Sequence, residues 1–410
     1  MSDYDLYELP NGIRVLHKQV VYTKIAHLGF LLDIGSRDEK PAQQGLAHFW
    51  EHMAFKGTEK RKSFHILNRL ETVGGELNAY TTKEKICFYA SLLSTHFERA
   101  FELLTDLTFH SVFPEKEIEK ERGVILEEMS MYQDTPEDAI IDDFDDVVFA
   151  KHALGHNILG TRESVSSFQQ ADFRQFLKEN VRTDRLVFST VSNLPFSEVK
   201  RLADKYLAPL PAQLGTRPRS AFSGYRRVEQ LERKPITQAH CLIGGPAYAI
   251  EDPRRIPFFL LNNLLGGPGM NSRLNLGVRE KYGLVYTIDS TYSPYTDTGL
   301  FGIYFGTEKK QVNRTVALVQ KELKRLREQA LGTAQLHTTK EQLMGQMAMA
   351  EESNGGMMQL LAKSTLDLGR VESINEIFDR VRAITASELL EMANEVLTDE
   401  NLSVLQYVPE

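Results

Sequence analysis

At 410 residues the chain is too long for one ordinary domain and long enough for two or three. Hydrophobic residues make up 42% and charged residues 25%, an ordinary globular composition, while a formal net charge of −8 argues against a nucleic-acid binder held by phosphate contacts. The two cysteines, Cys87 and Cys241, are far apart and imply neither a disulfide framework nor a cysteine metal site. The acidic start Met1–Asp5 lacks the charged-then-apolar run of a signal peptide, and no window approaches eighteen uninterrupted apolar residues. The expectation is a cytoplasmic chain without a membrane span.

In chain order, Leu9–Leu16 reads as a turn and a strand, and Ile25–Arg37 as an apolar strand ending in a Gly-Ser turn. The stretch Gly45–Phe55 follows, and it contains His48-Phe49-Trp50-Glu51-His52, the His-x-x-Glu-His order of the inverzincins. Residues four apart share a helix face, so His48 and His52 can point at one metal ion with Glu51 over the same face. Two imidazoles to hold zinc and a carboxylate to take a proton from the attacking water are what a catalytic zinc site asks for. Two histidines at this spacing also occur by chance on buried helices, so a third ligand from elsewhere decides the matter.

Next come a helix over Phe64–Val73, stopped by Gly74-Gly75, then Glu76–Thr82 leading into a strand over Lys85–Leu92, and a helix between His96 and His110. Pro114 opens a helical stretch to Tyr132 in which Glu121 and Glu128, seven apart, share one face, with Glu127 turned by about 100°. One of the pair can be the third ligand and the other can hold a ligand histidine. A Lys/Glu-rich helix can equally be a solvated face, but Val124, Ile125 and Leu126 place this one half in a core.

The pattern breaks at Leu207–Ala212 into a stretch rich in Pro, Gly, Arg and Ser that runs to Gly224. Beyond it Ala239–Gly245 echoes Ala26–Gly29, an acidic-Arg turn follows in both copies, and Leu261 falls where His48 does. The second copy would carry Leu261, Leu264 and Leu265 at the metal positions. A repeat of about 200 residues predicts two similar α+β domains related by internal duplication, each a mostly antiparallel sheet packed with helices. The expected division is 1–212 for the metal-bearing domain, 213–224 for a linker and 225–410 for a degenerate second domain. His152 and His156 read as a structural loop, the other histidines as lone structural residues, Gly266–Met270 as no phosphate loop, and Met344–Met349 as a core or interface helix.

Three separated stretches in this order, Gly45–Thr58, Glu121–Glu128 and Arg279–Tyr286, resemble the pitrilysin/insulinase zinc metallopeptidases. The match is closest to the short-chain branch that includes mitochondrial processing peptidase and its bacterial relatives. The resemblance implies that His48, His52 and Glu128 bind one zinc per chain, with Glu51 as general base and Glu121 supporting the site. By the same resemblance Asn78 and Ala79 bind substrate backbone just before an edge strand, expected around Ile86–Ala90. Arg279 and Tyr286 match the pair that binds and polarises substrate from the second half of a closed chamber. Short-chain members build that chamber from two subunits, so the pair would act on the partner's zinc site. The implied function is zinc-dependent endopeptidase action on peptides enclosed in a dimer, a homodimer because one chain carries both motifs. The rivals are a non-catalytic scaffold that has lost its ligands and one subunit of a heterodimeric processing peptidase.

Overall fold

The apolar runs resolve into two sheets, one in each of two units of the chain, in a computed structural model that describes residues 4–216 and 219–410. The first sheet contains β1 (Asp5–Glu8), β2 (Arg14–Gln19), β3 (Ile25–Leu32), β4 (Glu76–Thr81), β5 (Ile86–Leu93) and β6 (Leu186–Ser192), ordered β1-β2-β6-β3-β5-β4. The second contains β7 (Glu229–Lys234), β8 (Ala239–Ala247), β9 (Val285–Pro294), β10 (Gly299–Thr307) and β11 (Ser403–Pro409), ordered β7-β11-β8-β10-β9. Apart from the extra edge strand β1 of the first sheet, the wiring is the same in both. The β2–β6 and β7–β11 pairs are parallel and every other pair is antiparallel. Even the strand histidines repeat, His27 of β3 bonding Ser91 of β5 and His240 of β8 bonding Tyr304 of β10, each at 2.8 Å. The expected duplication of a mostly antiparallel α+β domain is the observed architecture.

Strands β3 and β6 are buried on both faces, which explains why they read as continuous apolar runs rather than alternating ones. On one face Phe30 and Phe188 meet Phe109 and Phe101 of the helix Phe97–Phe109. On the other face Leu16, Leu31, Val187 and Val191 pack against Met357, Met358, Leu361 and Ala362 of the helix Asn354–Leu368.

That last helix departs from a contiguous division of the chain. The first unit comprises Met1–Met129, His156–Arg219 and Ala350–Ser373, and the second Ser130–Gly155, Ser220–Met349 and Ile374–Glu410. The helix Pro136–Val148 joins the second unit because its stripe Ile140, Phe144 and Val148 packs with Leu242, Leu405 and Tyr407. The stretch expected as a linker is partly anchored. Gln213 exchanges hydrogen bonds with Thr183, and the buried Arg219 side chain pairs with Asp33 (3.0 Å) and Asp38 (2.8 Å). Residues 217 and 218 of that stretch lie outside the described residues. Among the described residues no helix is long and apolar enough to cross a membrane.

One strand assignment is corrected. The edge strand is β4, not the segment Ile86–Ala90, because β5 is enclosed between β3 and β4. Asn78 and Ala79 therefore lie on the edge strand itself rather than before it.

Candidate metal centre

The helix Leu46–Ala54 is fixed from its first turn. Gly45 precedes it with φ +92°, a left-handed conformation suited to glycine, and the buried Glu39 carboxylate accepts from the Gly45 N–H (2.9 Å) and the Ala47 N–H (2.7 Å). Leu46, Phe49, Trp50 and Met53 are fully buried, Trp50 edge-on to Phe88 and Phe49 edge-on to Phe173. With those positions spent on the core, His48, Glu51 and His52 fall on the remaining face.

Glu121 and Glu128 come from the helix Glu115–Gln133, whose Ile118, Ile125 and Met129 are buried while Glu127 is exposed. One Glu128 oxygen lies 3.8 Å from His48 Nε2 and 3.6 Å from His52 Nε2. One ligand atom from each of the three residues lies within 4.8 Å of the other two, the only such His/Cys/Asp/Glu group among the described residues. Zinc bonds of about 2.0–2.2 Å on a tetrahedron set ligand atoms roughly 3.4 Å apart, so the three donors fit that ion. Glu121 takes the other role: its carboxylate meets His52 Nδ1 at 3.2 Å and Lys56 Nζ at 2.6 Å. A proton shared on Nδ1 leaves Nε2 of His52 free to coordinate.

The electrostatics agree with a metal site. Burial, reinforced by neighbouring His52, pushes His48 down to about 3, so its imidazole is neutral. Among the described residues its buried Nδ1 has no hydrogen-bond partner. Burial raises Glu128, with His52 opposing. Burial also pushes Glu121 upward, but the hydrogen bonds from His52 and Lys56 outweigh it and hold the group below its ordinary value. Glu51 is raised by burial against an opposing hydrogen bond from Thr81 Oγ1 (2.6 Å).

Three supporting residues escaped the sequence reading. Lys56 lies four beyond His52 and so had the spacing to be found. Thr81 shares a strand face with Ala79, two residues away. Glu39 carried no local signal.

The model of the insulinase family, peptidase family M16, matches residues 14–162, and a model described as the peptidase M16 inactive domain matches residues 167–343. A Bacillus subtilis strain 168 protein, named an uncharacterized zinc protease, is 33% identical over 399 residues, 96% of this chain and 96% of that one. The chain belongs to peptidase family M16. Another relative, from Streptomyces coelicolor and likewise named an uncharacterized zinc protease, is 35% identical over 400 residues, 95% of this chain and 86% of its own length. The crystal structure of a peptidase M16 inactive domain from Pseudomonas fluorescens superposes with a TM-score of 0.92 over 100% of this chain and 98% of its own, at 19% identity, which attests the shared fold.

In this M16 chain the other expected residues lie in two places. Asn78 is exposed on β4, and its side-chain oxygen accepts from the Ala79 N–H (2.9 Å). Arg279 and Tyr286 belong to the second unit. Arg279 sits in a π-helical turn, Asn275–Glu280, its guanidinium 3.3 Å from both Asn275 and Glu280. Tyr286 is 83% exposed at the start of β9, the edge of the second sheet. It stands in a bulge, since Ile288 pairs with Phe305 and Val285 with Thr307, leaving Tyr286 and Thr287 opposite Gly306. The second-copy counterparts of the metal residues, Leu261 and Leu265, are buried core. His152 donates from Nε2 to the Ser220 carbonyl and accepts at Nδ1 from the Leu154 N–H, in the role of a loop residue.

Proposed function

We propose that the chain is a zinc-dependent endopeptidase with one zinc per chain, held by His48, His52 and Glu128. The observation that carries this reading is the convergence of those three donors beside a separately held carboxylate, Glu51. Zinc held there supplies Lewis acidity, polarising a peptide carbonyl and making an attacking water more acidic. Glu51 takes the water proton and passes it to the leaving amine. Its half-buried position, which raises its proton affinity, suits a group that must hold that proton between the two transfers. Thr81 fixes the orientation of the carboxylate.

Substrate binds as an extended strand along the open edge of β4, where main-chain hydrogen bonds give affinity and Asn78 and Ala79 meet the peptide backbone. Arg279 and Tyr286 hold the substrate near the scissile bond, contributed by the second unit of a partner copy in a homodimeric chamber. The presence of both motifs in one chain supports a homodimer over a heterodimer. The cytoplasm is the compartment proposed.

The test is metal analysis and cleavage of a quenched, unstructured peptide by the purified chain, with chelator and with Glu51→Gln. The expected result is chelator-sensitive cleavage and a Glu51→Gln loss of about 10²–10⁴-fold in kcat with zinc retained. Full activity of the zinc-loaded Glu51→Gln chain would refute the base assignment. Zinc without cleavage would point to a heterologous partner, and a chain that binds no zinc would leave the scaffold.

A further inference from the structure

The second unit contains a cavity of about 460 Å³ between the π-helical turn Asn275–Glu280 and the helix Val312–Glu328. Its charged lining is four cations, Arg273, Lys281, Lys321 and Arg325, against one carboxylate, Glu322, in a chain whose net charge is −8. The buried Glu322 is committed to Arg325, at 2.9 and 3.1 Å. Arg273 is half-buried, and among the described residues no hydrogen bond or ion pair reaches its guanidinium. Lys321 and Lys281 are exposed on the lining and, among the described residues, make no ion pairs.

A guanidinium withdrawn from water without a hydrogen-bonding acceptor is held at a free-energy cost that an anion would return. The cost shows in Arg273 itself, whose proton affinity is lowered by burial although the Glu322 charge opposes this. The cations also come from separate directions. Lys321 and Arg325 are one helical turn apart, Arg273 precedes the π-helical turn, and Lys281 follows it. Such a set suits an anion with several outward oxygens better than a single planar carboxylate, and the guanidinium fork matches phosphate oxygens two at a time. The volume is within the usual range for small-molecule sites.

We propose that this cavity is a binding site for a small, multiply charged, phosphate-bearing anion. The site lies wholly within the second unit, and its test does not depend on the peptidase reading. Inorganic pyrophosphate is titrated calorimetrically into the full chain at low salt, alongside Lys321→Glu and Arg273→Gln. Saturable one-to-one binding is expected, weakened about tenfold or more in each variant, as follows when one of a few focused charges is reversed or removed. Lys321 is exposed, so its variant folds and decides the matter even if Arg273→Gln does not. Pyrophosphate drawn to zinc at the metal centre would bind both variants as it binds the parent, and equal affinity in all three overturns the proposal. So does the absence of saturable heat at millimolar pyrophosphate. Citrate binding as tightly as pyrophosphate would overturn the assignment to phosphate.

Discussion

Glu121 is expected to control zinc affinity without touching the ion. Its carboxylate holds His52 Nδ1 at 3.2 Å and is itself held by Lys56 at 2.6 Å, so the ring is oriented by an ionised and anchored acceptor. Glu121→Gln keeps an acceptor of the same shape but removes the charge. A charge-assisted hydrogen bond is worth about 1.5–3 kcal/mol and a neutral one about 0.5–1.5 kcal/mol, a difference of roughly 1–1.5 kcal/mol. At about 1.4 kcal/mol per decade, zinc affinity should fall roughly tenfold. Glu121→Ala, which leaves Nδ1 without an acceptor, should fall toward about 100-fold, the upper range for such outer-shell losses. The assay is zinc competition against a chromophoric chelator, with thermal unfolding of the zinc-free chain as the control for folding. Unchanged zinc affinity in both variants, with only the unfolding temperature altered, would refute the reasoning and reduce Glu121 to a packing residue.

Two further outcomes concern stability. Burial pushes the Asp33 carboxyl upward, but Lys85, Arg219 and Arg185 more than offset it and hold the group well below the ordinary carboxylate range. Its stabilisation is therefore complete above the unfolded value, about pH 4, and is lost as pH falls through the depressed folded value. Asp33→Asn should cost about 2 kcal/mol at neutral pH, below the range for a bare buried charge because Asp367, Asp38 and Glu84 still face the cations, and should flatten the fall in urea midpoint below pH 4. Gly45→Ala places a Cβ against the Leu159 carbonyl at a positive φ, and should lower the melting temperature by about 5–10 °C through roughly 2–3 kcal/mol of strain. An unchanged melting temperature would mean that the turn before the metal helix relaxes freely.

What could be read from the sequence was local or repeated. The His48/Glu51/His52 face follows from helical spacing alone, and the duplication was visible because β3 and β8 keep the same apolar run and histidine. The misplaced edge strand has a non-local cause. Glu76–Thr81 and Ile86–Leu93 are two short strands joined by one turn, and which of them is enclosed depends on where β3 pairs, a choice no local pattern encodes. The same holds for Ser130–Gly155 and Ala350–Ser373. Their apolar stripes announce that they pack, not which sheet they cover. Glu39 belongs here too, since a glutamate before a loop says nothing of the amides it will meet.

The helix Asn354–Leu368 sets a timetable for the growing chain. Synthesis finishes β6, the last strand of the first sheet, at Ser192, yet the helix that covers Leu16, Leu31, Val187 and Val191 begins only some 160 residues later. At about 5–20 residues per second, that apolar face waits roughly ten to thirty seconds for its cover. For that interval the nascent first unit is a sheet with a bare apolar face, and a chain stopped near residue 212 would keep that face bare. The fold thus makes its first unit depend on a segment synthesised long after that unit's own last strand.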